Sequence, residues 1–247
     1  MSAAGETRPD LSVVIPAYNE AERLPRTLER VRAYLDGQGH RYEVLVVDDG
    51  STDDTVARAR EAGGPRLQVL GGEGNRGKGH AVRRGMLAAR GARRLMTDAD
   101  LSTPIEELPR LAARMDEGYE VVIASRALSD SRIEVRQGAF RENMGRVFNG
   151  LVRVAVVPGL HDTQCGFKLF SAAAAEAAFS RCRLDGFAFD VEALFVARKL
   201  GFRVAELPVV WRNDAASRVG VWRGFTAFLD VLAVRWNDLR GRYRETL

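Results

Sequence analysis

The sequence lacks the features that mark secreted, disulfide-bonded or membrane-spanning proteins. Its two cysteines, Cys165 and Cys182, are too few for a disulfide framework and do not have the paired spacing of a zinc site. No stretch approaches the roughly 18 to 20 unbroken apolar residues of a membrane span. The first ten residues, MSAAGETRPD, contain no apolar signal-peptide core. These absences predict a cytoplasmic protein whose thiols lie in its core or loops and whose membrane contact is peripheral.

What the sequence does contain indicates one compact folded domain. The 247 residues are 46% hydrophobic and 28% charged, a balance that suits a sizeable core and has no disorder signature. The net charge of +4 favours anionic partners, which include nucleic acids, phosphorylated ligands and acidic lipid surfaces. Charge alone does not choose among these partners.

The first half of the chain alternates short β-branched runs with helical patterns. The runs are nearly continuously apolar, which is typical of strands buried on both faces of a parallel sheet. The helical pattern after the second run opens with a Ser-x-x-Asp cap at Ser51 and closes at Gly63. The alternation predicts an α/β fold with a mostly parallel, doubly wound sheet flanked by helices. The predicted strands are LSVVIPAY (11–18), YEVLVVDD (42–49), RLQVL (66–70), RRLMTDAD (93–100) and EVVIASR (120–126).

The alternation stops after Arg126. A polar, arginine-bearing stretch leads to the block HDTQCGFKLFS, a helical pattern and one further strand. This change predicts a substrate half that follows a nucleotide-binding half within a single domain. The predicted divisions are a flexible N-terminus (1–10), a nucleotide-binding half (11–126), a substrate half (127–215) and a C-terminal amphipathic helix (216–247).

The C-terminal helix carries an apolar stripe at helical spacing. Such a stripe favours packing against the core. Its tryptophans and the arginines beside it leave a membrane-surface role open. The stripe consists of Trp222, Phe225, Leu229, Leu232, Trp236 and Leu239.

Acidic side chains accumulate where predicted strands end. Glu20 follows the first strand, and Asp48 and Asp49 end the second. Asp98 and Asp100 end the fourth. Open parallel sheets bind their ligands at these carboxyl ends, so the acids mark the predicted site.

The block TDAD is the candidate metal element. Its two carboxylates are separated by one residue, so an extended chain points them the same way. Two such oxygen donors, completed by diphosphate oxygens, suit Mg²⁺ or Mn²⁺. The alternative is a strand end followed by a helix that Ser102 or Thr103 caps without any metal.

The loop GGEGNRGKGHA (71–81) matches parts of two phosphate-binding motifs. Gly72, Gly74 and Gly77 have the spacing of a dinucleotide fingerprint, and Asp98 follows about 20 residues on, as that fingerprint requires. However, the fingerprint normally occupies the first strand-helix unit, and this loop lies in the third. As a P-loop the segment fails at Gly79, where a hydroxyl is required. What remains is a glycine-rich turn, a helix N-terminus and Lys78. These features favour binding of an anionic ligand.

Several blocks resemble a known enzyme family. VVIPAYNE, VLVVDDGSTDDT, NRGKGHAVRRGM and TDADLSTP resemble the signature blocks of family-two inverting glycosyltransferases, which have a GT-A fold. ASR, RENMGRVFNGLV, DTQCGFKLF and FAFDVE resemble the dolichyl-phosphate β-glucosyltransferase branch of that family. The resemblance covers the chain from about Leu11 to Trp211, with the blocks in order.

The resemblance implies the members of the site. Nucleotide-sugar binding is implied for Pro16, Ala17, Tyr18, Glu20, Asp48, Asp49, Lys78, Asp98 and Arg218. Metal binding, with Mg²⁺ or Mn²⁺, is implied for Asp98 and Asp100. An acceptor-phosphate site is implied for Arg126, Arg136 and Arg141, and catalytic roles for Asp100, Asp190 and Arg126.

The chemistry of the acceptor separates two roles for Asp190. A sugar hydroxyl would need a base, whereas a lipid monophosphate is already largely ionised and needs orientation by arginine. The arginines after residue 126 favour a polyprenyl-phosphate acceptor, with Asp190 orienting rather than abstracting a proton. For Asp190 and Glu192 the alternative is a first-turn placement that the helix macrodipole favours.

The predicted reaction is metal-dependent transfer of glucose from UDP-glucose to dolichyl or undecaprenyl phosphate, at the cytoplasmic face of a membrane and with no nucleic-acid partner. A mannosyl version that uses GDP-mannose is the nearest rival, because nothing in DDGSTDD distinguishes uracil from guanine. A Rossmann-type oxidoreductase and a non-catalytic nucleotide-sugar-binding module are the remaining alternatives.

Overall fold

The structure is a computed structural model that describes residues 8–72, 74–135, 150, 152, 156–212 and 221–244. The strands are β1 (Leu11–Ala17), β2 (Tyr42–Asp48), β3 (Leu67–Leu70), β4 (Arg93–Thr97), β5 (Val121–Ser125), β6 (Arg132–Val135), β7 (Phe167–Ser171), β8 (Val204–Pro208) and β9 (Val210–Arg212). The helices are α1 (Leu24–Asp36), α2 (Thr55–Gly63), α3 (Lys78–Ala88), α4 (Leu108–Asp116), α5 (Ala172–Phe179), α6 (Phe189–Lys199) and α7 (Val221–Leu239).

The main sheet has seven strands in the order β3-β2-β1-β4-β7-β5-β8. All its neighbouring pairs are parallel except those of β7, which runs antiparallel to both β4 and β5. The chain moves outward from β1 to β3 and then returns to place β4 on the other side of β1. A topological switch therefore lies between β1 and β4, where open sheets bind ligands at the carboxyl ends of their strands.

Alternate residues of the central strands face opposite sides of the sheet. Val14 and Leu45 pack into one core layer with Met86 of α3. Val13 and Ile15 pack into the other layer, which α1 and α4 cover. Every residue of β1 and β2 is buried, so both faces of the sheet are shielded from water at these strands. The predicted doubly wound α/β sheet is confirmed.

Strand β7 is an element that the sequence analysis did not assign. Phe167 and Leu169 belong to one core layer and Phe170 to the other, so the strand is buried on both faces. Lys168 interrupts this apolar run and is itself only 2% exposed. A lysine is almost never fully buried unless it is paired, so this residue hides the strand from a hydrophobicity pattern.

The predicted Ser-x-x-Asp cap of α2 is wrong. Helix α2 begins at Thr55, and its N-cap residue, Asp54, makes no capping hydrogen bond through its side chain. The Ser51 amide instead donates to the carboxylate of Asp48 at 3.2 Å. The Thr55 amide donates to Asp53 Oδ1 at 3.0 Å, so Asp53 satisfies one of the free amides of the first turn. The predicted end of the helix at Gly63 is confirmed.

Helix α7 divides its described side chains between two surroundings. Val231 and Val234 are fully buried, whereas Leu232, Trp236 and Leu239 are 60%, 55% and 79% exposed. The apolar stripe therefore does not enter the core at these three positions, contrary to the favoured interpretation. The side chains of Trp222, Phe225 and Leu229 lie outside the described residues. Within the described part of the chain, no helix combines the length and the apolar character needed to cross a membrane.

Candidate active site

The loops after β1 and β2 are joined by hydrogen bonds between their backbones and side chains. The Asn19 amide donates to Ser51 Oγ at 2.9 Å, and the Glu20 amide donates to Thr55 Oγ1 at 2.7 Å. Asn19 has a positive φ of 56°, which an asparagine tolerates better than most residues. The two loops thus form one wall at the carboxyl edge of the sheet.

The predicted donor residues of β1 lie along this wall. Pro16 and Ala17 are the buried last residues of the strand, and Tyr18 emerges from it with 38% exposure. The Glu20 carboxylate is held by Arg23, with a shortest N–O distance of 2.6 Å. An exposed aromatic ring beside a sheet edge offers a face on which a planar base can stack.

Asp48 and Asp49 are buried, and their carboxylates bind loop amides. Asp48 accepts hydrogen bonds from Gly50 and Ser51, each at 3.2 Å. Asp49 accepts from the Arg76 amide at 3.0 Å and from the Gly77 amide at 2.8 Å. Asp49 thereby fastens the glycine-rich loop to the end of β2. The geometry gives these acids a positioning role, and contact with the nucleoside stays a prediction.

The N-terminus of α3 is already bonded within the protein. Gly79 N donates to the carbonyl oxygen of Asp185 at 2.8 Å, and His80 N donates to the same oxygen at 3.3 Å. Gly77 has a φ of 112°, and a Cβ there would overlap the Asp185 carbonyl, so glycine is required. These amides are therefore not free to cradle a phosphate. The loop presents Lys78 instead.

Lys78 and Asp98 meet at the switch point between β1 and β4. Lys78 Nζ lies 2.6 Å from Asp98 Oδ1, and the two side chains are 24% and 31% exposed. Among the described residues, the buried Oδ1 accepts no hydrogen bond of ordinary geometry, so the contact is an ion pair. Burial opposes the ammonium, but the charges of Asp98, Asp190 and Asp100 outweigh it and raise the pKa of Lys78.

Asp100 lies beside this pair on a strained turn. The next residue, Leu101, has a positive φ of 47°, which is uncommon for a bulky side chain. Asp100 Oδ1 accepts a hydrogen bond from the Ser102 amide at 2.9 Å. Burial and the charge of Asp98 raise the pKa of Asp100. Neither Ser102 nor Thr103 caps the short 3-10 helix that follows, which begins after Pro104 without a side-chain cap.

Gly166 gives the Asp98 carboxylate its room. A Cβ on Gly166 would overlap that carboxylate, and the Gly166 carbonyl accepts a hydrogen bond from the Asp98 amide at 3.1 Å. The block DTQCGFKLF therefore supplies part of the wall behind the TDAD element. Sequence reasoning noticed the block only through the resemblance, because a lone glycine before a strand gives no signal of its own.

Asp190 lies in the first turn of α6 and is paired with Lys168 of β7. Their Nζ–Oδ1 distance is 2.5 Å, and the side chains are only 2% and 6% exposed. Lys168 also donates to the Cys165 carbonyl at 2.6 Å. Burial raises the pKa of Asp190, and the charges of Lys168 and Lys78 oppose that rise. The pair holds an acid at the edge of the Lys78 site.

Glu192 follows Asp190 by two residues and does a different job. Its Oε2 accepts hydrogen bonds from the amides of Arg183 and Leu184, both at 2.8 Å, and its Oε1 accepts from the Tyr243 hydroxyl at 2.6 Å. The side chain is fully buried. Glu192 therefore ties the loop before α6 to the turn that follows α7.

The guanidinium of Arg126 is engaged by Asp162. Nε and Nη2 donate to the two carboxylate oxygens at 2.6 and 2.8 Å, a bidentate arrangement, and Asp162 is 1% exposed. Burial would raise the pKa of Asp162, but the charge and hydrogen bonds of Arg126 lower it to about 2. The acceptor-phosphate role of Arg126 stays a prediction. Arg136, Arg141 and Arg218 lie outside the described residues.

The residues that could hold a divalent cation are Asp98 and Asp100. Among the described residues, no group of three or more acidic, histidine or cysteine side chains has metal-binding geometry. Mg²⁺ is commonly held by one or two carboxylates together with substrate phosphates. The Asp98 carboxylate is partly exposed and already faces a positive charge, so it fits a divalent cation that shares its ligands with a substrate.

Comparison with known families identifies the protein as a glycosyltransferase. The sequence matches the family model described as "Glycosyl transferase family 2" over residues 12–179, which is more than half of the chain. The chain therefore belongs to glycosyl transferase family 2. Membership in that family is incompatible with the oxidoreductase interpretation of the glycine-rich loop.

Curated relatives are similar over nearly the whole chain. The dolichyl-phosphate beta-glucosyltransferase of Homo sapiens is 35% identical over 250 residues, which are 95% of this chain and 77% of the relative. The protein of the same name from Drosophila melanogaster is 35% identical over 253 residues, with the same coverage.

Solved structures share the fold. Glucosyl-3-phosphoglycerate synthase from Mycobacterium tuberculosis, in complex with Mn²⁺, UDP-glucose and phosphoglyceric acid, superimposes with a TM-score of 0.68 at 21% identity, over 95% of this chain and 80% of the other. Mannosyl-3-phosphoglycerate synthase from Rubrobacter xylanophilus gives 0.69 at 21% identity, over 97% and 77%. The predicted GT-A fold is confirmed.

Proposed function

We propose that the protein transfers glucose from UDP-glucose to a polyprenyl phosphate, dolichyl or undecaprenyl, with inversion at the anomeric carbon and with Mg²⁺ or Mn²⁺. The observation that carries the proposal is the cluster of Asp98, Asp100 and Lys78 at the switch point of the sheet. The named relatives support the sugar and the lipid phosphate.

The donor side of the site suits a nucleoside diphosphate. Departure of the diphosphate leaves negative charge on its oxygens, and a bound divalent cation would stabilise that charge as a Lewis acid. Asp98 and Asp100 would hold it. Lys78 reaches the same region from α3. Its ammonium adds a second positive charge near the place where the leaving group becomes negative.

The acceptor side suits an anion that is already ionised. A phosphate monoester has a second pKa of about 6, so its oxygen attacks without prior deprotonation. Asp190 is paired with Lys168 at 2.5 Å and is therefore an orienting group rather than a free base. Arg136 and Arg141 are the proposed partners of the phosphate, and Arg126, bound to Asp162, is proposed to shape that site.

The protein is proposed to meet its lipid acceptor at the cytoplasmic face of a membrane through helix α7. Leu232, Trp236 and Leu239 form an exposed apolar surface, and the guanidinium of Arg240 lies 4.5 Å from the centre of the Trp236 ring. Apolar side chains next to arginines bind anionic lipid surfaces. Vesicle co-sedimentation of a Trp236→Ala, Leu239→Ala variant tests this surface, with Leu87→Ala on α3 as the matched control. Undiminished binding would remove α7 from the proposal.

The activity is tested with radiolabelled donors. UDP-glucose and GDP-mannose are each incubated with dolichyl or undecaprenyl phosphate, with Mn²⁺ or with EDTA, and the lipid phase is counted. We expect transfer from UDP-glucose that EDTA and Asp100→Ala abolish, whereas the exposed control Asp54→Ala keeps it. Preferential transfer from GDP-mannose would show that GDP-mannose, and not UDP-glucose, is the donor. Nucleotide binding without transfer to any acceptor would support a non-catalytic module.

A further inference from the structure

The chain has three lysines, and each is paired with an aspartate. Lys168 pairs with Asp190 and Lys199 with Asp238, both at 2.5 Å. Lys78 pairs with Asp98, one of the two residues proposed to hold the divalent cation. An internal cation therefore lies against the oxygen that the metal would use.

The ion pair between Lys78 and Asp98 can be broken so that Lys78 binds another anion. Lys168 has two acceptors and is buried in the core, whereas the Lys78 ammonium forms an ion pair with Asp98 alone among the described residues. Both members of the Lys78 pair remain partly open to solvent. A lysine side chain on a flexible four-carbon stem can move without any change in the backbone.

Charge balance favours a cation beside Asp98 and Asp100. Asp98, Asp100 and Asp190 bring three carboxylates together, and Lys168 neutralises only the last of them. Without Lys78, Asp98 would lose its ion-pair partner, and Asp100 would be left with the hydrogen bond from the Ser102 amide. A single ammonium close to both lowers their mutual repulsion when no metal is present.

We propose that the Lys78 ammonium takes the place of the divalent cation on Asp98 in the ligand-free protein, and that it transfers to the donor diphosphate when cation and nucleotide bind. No covalent bond forms or breaks in this exchange. The proposal rests on the proposed function for the identity of the site. It makes metal binding and nucleotide binding mutually dependent, because the nucleotide supplies the lysine with a new partner.

The first test is a Mn²⁺ titration without nucleotide, followed by electron paramagnetic resonance. Lys78→Met removes the competing cation, so we expect Mn²⁺ to bind about tenfold more tightly than to the native protein, since a unit charge this close opposes the metal. Arg84→Met removes an equal charge from the same helix and should leave the affinity unchanged. Lys78→Arg keeps the charge and should also remain close to native.

The second measurement is UDP binding at saturating Mn²⁺. Lys78→Met should weaken UDP about tenfold, because the diphosphate loses a charged partner. Tighter metal together with weaker nucleotide is a signature that a merely structural role of Lys78 does not produce, since misfolding weakens both. Equal Mn²⁺ affinity in the native and Lys78→Met proteins, including undetectable binding by both, would overturn the proposal.

A third measurement needs no disruptive variant. In protein labelled with ¹³C-lysine, three lysine spin systems are expected, and Lys78→Arg assigns one of them. Titration with Mg²⁺ and UDP should shift the Lys78 signal and leave those of Lys168 and Lys199 in place. An unmoved Lys78 signal at saturation would contradict the exchange. Failure of glucose transfer with these results intact would refute only the proposed function.

Discussion

Two lysine–aspartate pairs of nearly equal length lie side by side in this protein and differ in almost everything else. Lys78–Asp98 measures 2.6 Å with side chains 24% and 31% exposed, and Lys168–Asp190 measures 2.5 Å with side chains 2% and 6% exposed. The first joins the start of α3 to the residue after β4, and the second joins strand β7 to helix α6 in the core. Distance alone does not reveal what an ion pair does.

Burial decides how each pair responds when it is opened. In a partly exposed site, water replaces a lost partner, and the pair is worth little to stability. In the core, removing one partner leaves a desolvated charge that nothing compensates. Lys78 of the partly exposed pair can therefore change partners during function, whereas the buried Lys168–Asp190 pair maintains the shape of the site.

The largest effect on the unfolding free energy is expected when the buried Lys168–Asp190 pair is broken. Lys168→Met leaves Asp190 buried without its cation, and breaking such a pair costs about 3–5 kcal/mol of unfolding free energy. Denaturant unfolding measures this change. The double variant Lys168→Met, Asp190→Leu removes both charges and should recover most of the loss. If Lys168→Met is no less stable than Lys78→Met, the distinction between the two pairs is wrong.

The same contrast explains what could be predicted from sequence. Lys78 and Asp98 follow a strand or begin a helix at the edge of a sheet, where polar residues stand out against apolar runs, and both were predicted. Lys168 lies between the apolar residues Phe167 and Leu169 of a strand, a position where its sequence pattern resembles that of a solvent-facing residue. Its partner lies 22 residues further on, so no local pattern joins them.

The half before Arg126 was predicted more completely than the half after it for a related reason. Parallel strands buried on both faces give continuous apolar runs, and all five predicted runs are strands. The later half contains an antiparallel strand and carboxylates that bind backbone amides outside their own helix, as Glu192 does with Arg183 and Leu184. Such tertiary hydrogen bonds follow no periodic pattern in the sequence. The hydrogen bonds of Glu192 and the pairing of Arg126 with Asp162 were therefore not predicted.

Arg126–Asp162 provides a third pair that sharpens the comparison. The pKa of Asp162 is lowered to about 2, so its contribution to stability is present above its ordinary value of 3.8 and is lost as pH falls towards 2. We expect Asp162→Asn to lose about 2 kcal/mol at neutral pH, at about 1.4 kcal/mol for each unit of pKa. Denaturant unfolding at pH 7 and in steps from pH 5 to pH 2 measures this.

The difference between the native protein and Asp162→Asn should shrink as the pH is lowered through that range. The neutral variant keeps the shape of the side chain but not the carboxylate that Arg126 binds. A difference that stayed constant from pH 7 to pH 2 would mean that the loss comes from packing rather than from charge.

Opening the exposed pair should change stability much less. Lys78→Met is expected to alter the unfolding free energy by less than about 1 kcal/mol, since water reaches both side chains. Thermal and denaturant unfolding of the same protein preparation that is used for metal binding would establish this. A loss as large as that of Lys168→Met would show that Lys78 is a structural residue, and would remove the basis for its exchange.

Lys199–Asp238 should give the smallest effect and so completes the series. It joins the end of α6 to α7 at 2.5 Å, with side chains 33% and 18% exposed. Lys199→Met should cost about 0.5 kcal/mol or less in denaturant unfolding, because Lys199 has the most exposed side chain of the three lysines and its ammonium is largely solvated. Salt should abolish that small difference, whereas the loss in Lys168→Met should persist at high ionic strength, since buried charges are poorly screened. If salt affected both variants equally, burial would not be the property that separates the pairs.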